Sequence, residues 1–175
     1  MQEKKRNIIF IGGIHGVGKG TICKRISNNK NIAHVSASEV IKWKEINSNN
    51  DKRVDDFDRT QSMLLKGIER LKQDSSTLIL DGHYCLLNSN NEPEKISEKT
   101  FEEIAPKVMA IVIEDEEIIY ERLKQRDGTK YSLSLLKKMQ KMEIDHAKHL
   151  SSKYEKPYVE IFKSDFSLLK KYLQK

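Results

Sequence analysis

The sequence lacks several residue types and patterns, and each absence narrows what the protein can be. Its 175 residues include two cysteines, Cys23 and Cys85, which give neither a disulfide framework nor the ligand spacing of a zinc site. No apolar stretch approaches the roughly 20 residues of a membrane-spanning helix. The apolar run after Lys4, Lys5 and Arg6 is too short for a secretory signal. We therefore expect a reduced, cytoplasmic protein without a membrane segment.

Arginine is scarce, and the positive charge is unevenly distributed. Only seven of the 32 basic residues are arginine, the residue best suited to planar, bidentate recognition of phosphate. The net charge of +6 arises entirely in residues 130–175, where 11 lysines face five acidic residues. These lysines flank the apolar stripe of a predicted helix, so we interpret them as a solvated helix face. Binding to nucleic acid is the alternative interpretation.

Strand-like and helix-like segments alternate along the whole chain. The hydrophobic pattern predicts strands at residues 7–11, 32–35, 77–80, 108–113 and 157–162. The pattern also predicts helices at residues 21–27, 40–46, 63–71, 118–123 and 168–173, and one long helix with its stripe at Leu135, Met139, Met142, His146 and His149. Such alternation is typical of a parallel sheet covered by helices. We predict one α/β domain over residues 1–175, with about five parallel strands and helices on both faces.

The most specific motif is GGIHGVGKGT at residues 12–21. It follows a predicted strand and opens a predicted helix, which is the context of a phosphate-binding loop. Glycines let the backbone amides turn toward phosphate oxygens, and the helix N-terminus adds the positive end of its dipole. Lys19 would reach the β- and γ-phosphates of a nucleotide as a point charge. The expected nucleotide-binding residues of the loop are Gly13, His15, Gly16, Val17, Gly18, Lys19, Gly20 and Thr21. A glycine-rich turn with a chance lysine is the alternative.

A carboxylate follows the third predicted strand. Asp81 ends that strand, so it should stand at the carboxyl edge of the sheet, where ligands bind in open α/β sheets. A carboxylate at this position can orient a water molecule on Mg²⁺. An ordinary strand-ending aspartate would fit the same pattern.

The loop departs from the general motif in one position. The hydroxyl residue that usually follows the lysine is replaced by Gly20, and Thr21 comes one residue later. AAA-type motors and GTPases also have phosphate loops, but the chain is short for a motor and has no guanine-recognition motif. The GKGT form, together with the order of motifs along nearly the whole chain, resembles nucleoside-monophosphate kinases of the adenylate kinase type.

The segment EEIIYERLKQRDGTKYS at residues 116–132 resembles the lid-flanking segment of these kinases. Arg122 and Arg126 are four residues apart and emerge from one helix face. The resemblance implies that Arg122 lies against the donor nucleotide and that Arg126 holds the transferred phosphoryl group, which makes both catalytic. Residues 127–131 would form a minimal lid. A solvated, charged helix face is the alternative.

The acceptor side is expected in residues 36–73, where the family has its monophosphate-binding helices. After Asp81 the sequence reads Gly82-His83, without the arginine of bacterial adenylate kinases, and this is closer to the archaeal-type enzymes with short lids. His83 is therefore a candidate contact for the acceptor or for a metal-bound water. The substrate-binding candidates are Ser36, Ser38, Lys42, Arg59, Gln61 and His83.

The resemblance implies a P-loop NTPase fold and a specific reaction. ATP and Mg²⁺ would be the cofactors, with Asp81 holding the metal through water and Thr21 as a weaker metal candidate. The γ-phosphoryl group would pass to a nucleoside monophosphate, with Lys19, Asp81, Arg122 and Arg126 as the catalytic residues. Two alternatives stay open. One is a nucleotide-switched assembly factor or nucleic-acid-binding ATPase, and the other is a kinase of another small acceptor or of a polynucleotide 5′ end.

Overall fold

The computed structural model of the chain describes residues 7–28, 31–38, 77–128 and 130–173. In chain order the elements are β1 (Asn7–Gly12), α1 (Lys19–Ser27), β2 (Ile32–Ser36), β3 (Thr77–Asp81), β4 (Cys85–Leu87), β5 (Pro93–Lys95), α2 (Glu98–Ile104), β6 (Val108–Ile113), α3 (Glu116–Asp127), α4 (Leu133–Lys153), β7 (Tyr158–Phe162), a 3-10 turn (Ser167–Leu169) and α5 (Lys170–Leu173).

Five of these strands form one parallel sheet in the order β2-β3-β1-β6-β7. In the sheet, β1 lies in the centre. The strands that follow it first in the chain, β2 and β3, lie on one side, and the later strands β6 and β7 lie on the other, so the strand order reverses at β1. Ligands bind in the crevice outside the carboxyl ends of the strands at such a reversal. Within the sheet Ile11 pairs with Asp81, which brings the end of β3 beside the loop that follows β1. The predicted five-stranded parallel sheet is confirmed.

Helices cover both faces of the sheet, as predicted. Side chains of successive strand residues point to opposite faces, and each face has its own hydrophobic core. One core joins Ile9 and Ile11 of β1 to residues of α1, α3 and the first half of α4. The other joins Ile8 and Phe10 of β1 to residues of α2 and the second half of α4.

The long helix α4 runs past the carboxyl end of the sheet from one core to the other. Met139 and His146 of the predicted stripe are buried. The buried face also includes polar side chains, and its residues are Leu136, Met139, Gln140, Glu143, His146, Ala147, Leu150 and Ser151. The prediction that His149 lies on the packed stripe is wrong. His149 is exposed and its Nε2 atom lies 2.7 Å from a carboxylate oxygen of Glu98.

Two local features were not predicted from the sequence. The antiparallel hairpin of β4 and β5 has strands of only three residues, and α2 has seven residues. Segments this short carry too few apolar positions for a periodic signal. The predicted helices at residues 40–46 and 63–71, and most of the predicted acceptor region 36–73, lie outside the described residues.

The lysines of the C-terminal quarter lie mainly on the outside of the described structure. Lys137, Lys141 and Lys148 are exposed, and the Nζ atom of each lies within 3.3 Å of a carboxylate oxygen. Among the residues that the structure describes, no helix combines the length and apolarity needed to span a membrane.

Candidate active site at the phosphate loop

The loop between β1 and α1 has the backbone that its glycines predict. The φ angles of Gly13, Gly16 and Gly18 are 143°, 78° and 95°, in the region that side-chain-bearing residues rarely adopt. Gly18 precedes the first residue of α1 and, in the part of the chain described, no side chain caps that helix. The first amides of α1 therefore keep the capacity to bind an anion such as a phosphate group.

Lys19 and Asp81 meet at the mouth of this loop. The Nζ atom of Lys19 lies 3.0 Å from Oδ1 of Asp81, and both side chains are nearly buried. On the other side of the carboxylate, Nε2 of His34 lies 3.4 Å from Oδ2. Burial alone would raise the pKa of Asp81, but the His34 imidazole and the Lys19 ammonium outweigh it and hold that pKa below its ordinary value. Asp81 is therefore a carboxylate at neutral pH.

The chemistry of these residues fits Mg²⁺ better than a thiophilic metal ion. Cys23, His34 and Asp81 have ligand atoms within 4.8 Å of one another. However, burial, followed by the charge of Asp81, raises the pKa of the Cys23 thiol to about 12, so the thiolate that a thiophilic ion binds is not available at neutral pH. Mg²⁺ is commonly bound through one or two carboxylates while it keeps several waters, which Asp81 alone can satisfy. Thr21 is exposed in the first turn of α1 and no described contact joins it to Asp81.

Of the two arginines on α3, one contacts the phosphate loop. Nη1 of Arg122 donates to the carbonyl oxygen of Gly16 at 3.4 Å, and Nη2 lies 3.5 Å from Oε2 of Glu114. Arg126 instead forms an ion pair with the adjacent Asp127, at 2.6 Å between Nη2 and Oδ2. The structure thus places Arg122 at the loop, whereas Arg126 is exposed and engaged by its neighbour.

Two histidines pack against each other between the phosphate loop and the turn after β3. The ring centroids of His15 and His83 are 4.7 Å apart. Partial desolvation of the ring, followed by the neighbouring His83 ring and the Lys19 ammonium, lowers the pKa of His15 to about 4. The His15 ring is therefore neutral at pH 7. His83 is half-buried beside the loop, where it was predicted to contribute to substrate binding.

Glu143 is the residue of the site that the sequence analysis missed. Its side chain on α4 is buried, and it accepts hydrogen bonds from the amides of Gly13, Tyr84 and Cys85 at 2.9–3.1 Å. A glutamate on a lysine-rich helix is normally interpreted as part of the solvated face. The one available signal was its spacing, four residues after Met139 and three before His146.

The acceptor side is described only in part. Ser36 ends β2 opposite Asp81, and its hydroxyl lies 2.8 Å from that of Ser38. Lys42, Arg59 and Gln61 lie outside the described residues. The predicted lid is short: α3 ends at Asp127 and α4 begins at Leu133, and residue 129 between them is outside the described part. The functional roles of all these residues stay predictions.

Comparison with protein families shows to which family the chain belongs. Residues 12–146 match the family model described as "AAA domain". The chain belongs to the AAA-domain family. The match begins at the phosphate loop and ends on α4, so it includes Lys19, Asp81, Arg122 and Glu143. That this AAA-domain protein is not a motor stays a prediction.

Individual relatives of this AAA-domain protein are kinases or share its fold. It is 30% identical over 133 residues to the adenylate kinase of Mycoplasma mobile, a match that covers 69% of this chain and 57% of that relative. The chain therefore spans less than two thirds of the length of this curated relative. Similar solved structures are a gluconokinase from Sinorhizobium meliloti 1021, with a TM-score of 0.53 and 15% identity, and the tunicamycin resistance protein of Deinococcus radiodurans, with a TM-score of 0.58 and 12% identity.

These two structural matches are nearly complete in length. They cover 97% and 96% of this chain, and 90% and 94% of the gluconokinase and of the resistance protein. At these identities they establish the fold alone, which is the predicted P-loop NTPase fold. The family match and the shared fold make the chain an AAA-domain protein with the P-loop NTPase fold.

Proposed function

We propose that this AAA-domain protein transfers the γ-phosphoryl group of ATP, with Mg²⁺, to a nucleoside monophosphate. The observation that carries the proposal is the Lys19–Asp81 pair, 3.0 Å apart at the mouth of a glycine loop that opens a helix. A cation for phosphate and a carboxylate for the metal thus stand side by side at the switch point of a parallel sheet. Arg122 adds a second cation at the carbonyl of Gly16.

Phosphoryl transfer needs positioning and charge neutralisation more than covalent chemistry from the protein. Lys19, Arg122 and the loop amides would bind and orient the phosphates of ATP. Asp81 would hold Mg²⁺ through water, and the bound ion would supply neutralisation of the phosphate charge. Arg126 would act after release from Asp127. No side chain is proposed as a general base.

The nucleoside monophosphate acceptor rests on the GKGT form of the loop and on the similarity to an adenylate kinase. We also propose that the enzyme is of the short-lid type, since only a few residues separate α3 from α4. Ser36, Ser38 and His83 border the same edge of the sheet, and with Lys42, Arg59 and Gln61 they are the proposed acceptor contacts.

A kinase of a different small acceptor is the second candidate. It is favoured by the residues after Asp81, where Gly82 and His83 replace the arginine that would bind a monophosphate. A nucleotide-switched ATPase acting on nucleic acid is less favoured, because exposed lysines of α4 already lie close to carboxylates.

A panel of acceptors distinguishes these functions. The purified chain is incubated with ATP, Mg²⁺ and one acceptor at a time, and the phosphorylated product is measured. The acceptors are the nucleoside monophosphates, nucleosides, gluconate as a representative hydroxyl metabolite, and RNA and DNA 5′ ends. The proposal predicts transfer to one or a few monophosphates. Transfer only to a hydroxyl acceptor would support the second candidate, and ATP hydrolysis stimulated by RNA without transfer would contradict both.

A further inference from the structure

One buried carboxylate connects the two loops that form the candidate active site. Glu143 lies in the middle of α4, where the helix passes the carboxyl end of the sheet, and its side chain is 1% exposed. Its Oε2 atom accepts the amide hydrogen of Gly13 at 3.0 Å, at the start of the phosphate loop. Its Oε1 atom accepts the amides of Tyr84 and Cys85 at 2.9 and 3.1 Å, directly after the turn that follows Asp81.

These three bonds satisfy the buried carboxylate with backbone amides of two different segments. Hydrogen bonds to a charged acceptor are about twice as strong as those between neutral groups. The donors belong to two segments that are far apart in sequence, 130 and 59 residues from Glu143. The two oxygens of one rigid carboxylate therefore fix the separation of these segments.

The same side chain also contacts a predicted substrate-binding residue. Oε1 of Glu143 lies 3.6 Å from Nδ1 of His83, whose ring packs against His15 of the phosphate loop. No lysine or arginine of the described residues forms an ion pair with Glu143. Its partners are thus the loops themselves and the histidine between them.

We propose that Glu143 is a positioning residue for phosphoryl transfer, which sets the placement of the phosphate loop relative to Asp81 and His83. The inference rests on the proposed function, because the two loops carry the donor and metal residues of that reaction. In this proposal Glu143 contacts neither substrate nor metal. It acts through the backbone of Gly13 and of Tyr84 and Cys85.

The sharpest perturbation is Glu143→Gln, which keeps the shape of the side chain. The glutamine oxygen still accepts from two amides, but its NH₂ group then faces a third N–H donor. One loop is therefore released while the helix position is filled. We expect kcat to fall about 10- to 100-fold, the effect of a small misplacement of reacting groups, and KM for ATP to change much less. Glu143→Asp keeps the charge, and we expect it to retain more activity than the glutamine variant.

A matched control comes from a position two turns later on the same helix. Ser151 is 8% exposed and its hydroxyl donates to the carbonyl oxygen of Lys156, which precedes β7 at the edge of the sheet opposite the two loops. Ser151→Ala should lower the thermal midpoint as loss of a buried hydrogen bond does, with kcat unchanged. If Glu143→Gln and Ser151→Ala lose the same stability and both keep wild-type kcat, Glu143 is purely structural and the proposal is wrong.

Hydrogen exchange tests the same inference without any assay of transfer. A non-hydrolysable ATP analogue with Mg²⁺ is added to the wild-type chain, and amide exchange is followed at Gly13, Tyr84 and Cys85. We expect exchange to slow at all three amides, because the carboxylate couples the loops. Slowing confined to residues 12–21 would overturn the inference, even if neither variant folds. If the chain phosphorylates no acceptor but the three amides respond together, the proposed function fails, and only the coupling of the two loops through Glu143 stands.

Discussion

Replacement of Gly12 by alanine should destabilise the fold more than its single methyl group suggests. A β-carbon at Gly12 would lie 2.3 Å from two ring carbons of Tyr84 and 3.2 Å from Oε2 of Glu143. Carbon atoms in contact are normally 3.5–4.0 Å apart. The Tyr84 ring has little freedom to retreat, since it is fully buried, packs against Phe10 and Phe101, and donates from its hydroxyl to the carbonyl oxygen of Ala110.

The magnitude follows from these contacts. Overpacking of a well-packed core costs about 1–3 kcal/mol. Displacement of Tyr84 would also break its buried hydroxyl bond, which adds about 1 kcal/mol. We therefore expect Gly12→Ala to lower the free energy of unfolding by about 2–4 kcal/mol.

Gly20 provides the matched control. It lies in the first turn of α1, and a β-carbon there meets no atom within 4 Å. Alanine in a helix is more favourable than glycine by about 0.5–1 kcal/mol, so Gly20→Ala should stabilise the protein. Urea unfolding followed by circular dichroism measures both changes. The steric account would be refuted if Gly12→Ala unfolded at the wild-type urea concentration, or if both variants shifted equally.

Two further predictions concern the charges of the site. Arg122→Ala should lower kcat on the order of 100-fold, as loss of one preorganised donor does. Arg126→Ala should lower kcat less, because Arg126 is paired with Asp127. If both variants transfer phosphate at the wild-type rate, neither arginine belongs to the site. Because the pKa of Asp81 is lowered by folding, its charge stabilises the protein above about pH 4, and this contribution is lost as the pH falls through the folded pKa. Asp81→Asn should therefore differ from wild type in urea midpoint at pH 7, and the difference should shrink as the pH falls below about 4. A pH-independent difference would contradict this.

Much of the fold follows from local sequence patterns. The strands of the sheet are short runs of β-branched and other apolar residues, and the element order alone indicated a parallel sheet with helices on both faces. The hairpin of β4 and β5 was not predicted because its pairing depends on contacts with α4 and not on periodicity. The 3-10 turn at Ser167–Leu169 likewise has too few residues for a pattern.

The site was predictable where the chemistry is local and not where it depends on distant contacts. The phosphate loop has a motif, and Asp81 has a position at a strand end. Glu143 has neither, because its role depends on amides 130 and 59 residues away. Nor does spacing on α3 reveal that Arg122 contacts Gly16 while Arg126 pairs with Asp127, since both occupy one helix face.

The most direct test of the central claim is phosphoryl transfer by Lys19→Ala, compared with Lys24→Ala. Both lysines are on α1, but Lys24 is exposed in the last turn and Lys19 faces Asp81. With the best acceptor from the panel, Lys19→Ala should retain a cooperative thermal transition and lose transfer, whereas Lys24→Ala should transfer at the wild-type rate. A folded Lys19→Ala protein with full activity would contradict the assignment of this loop as the site of phosphoryl transfer.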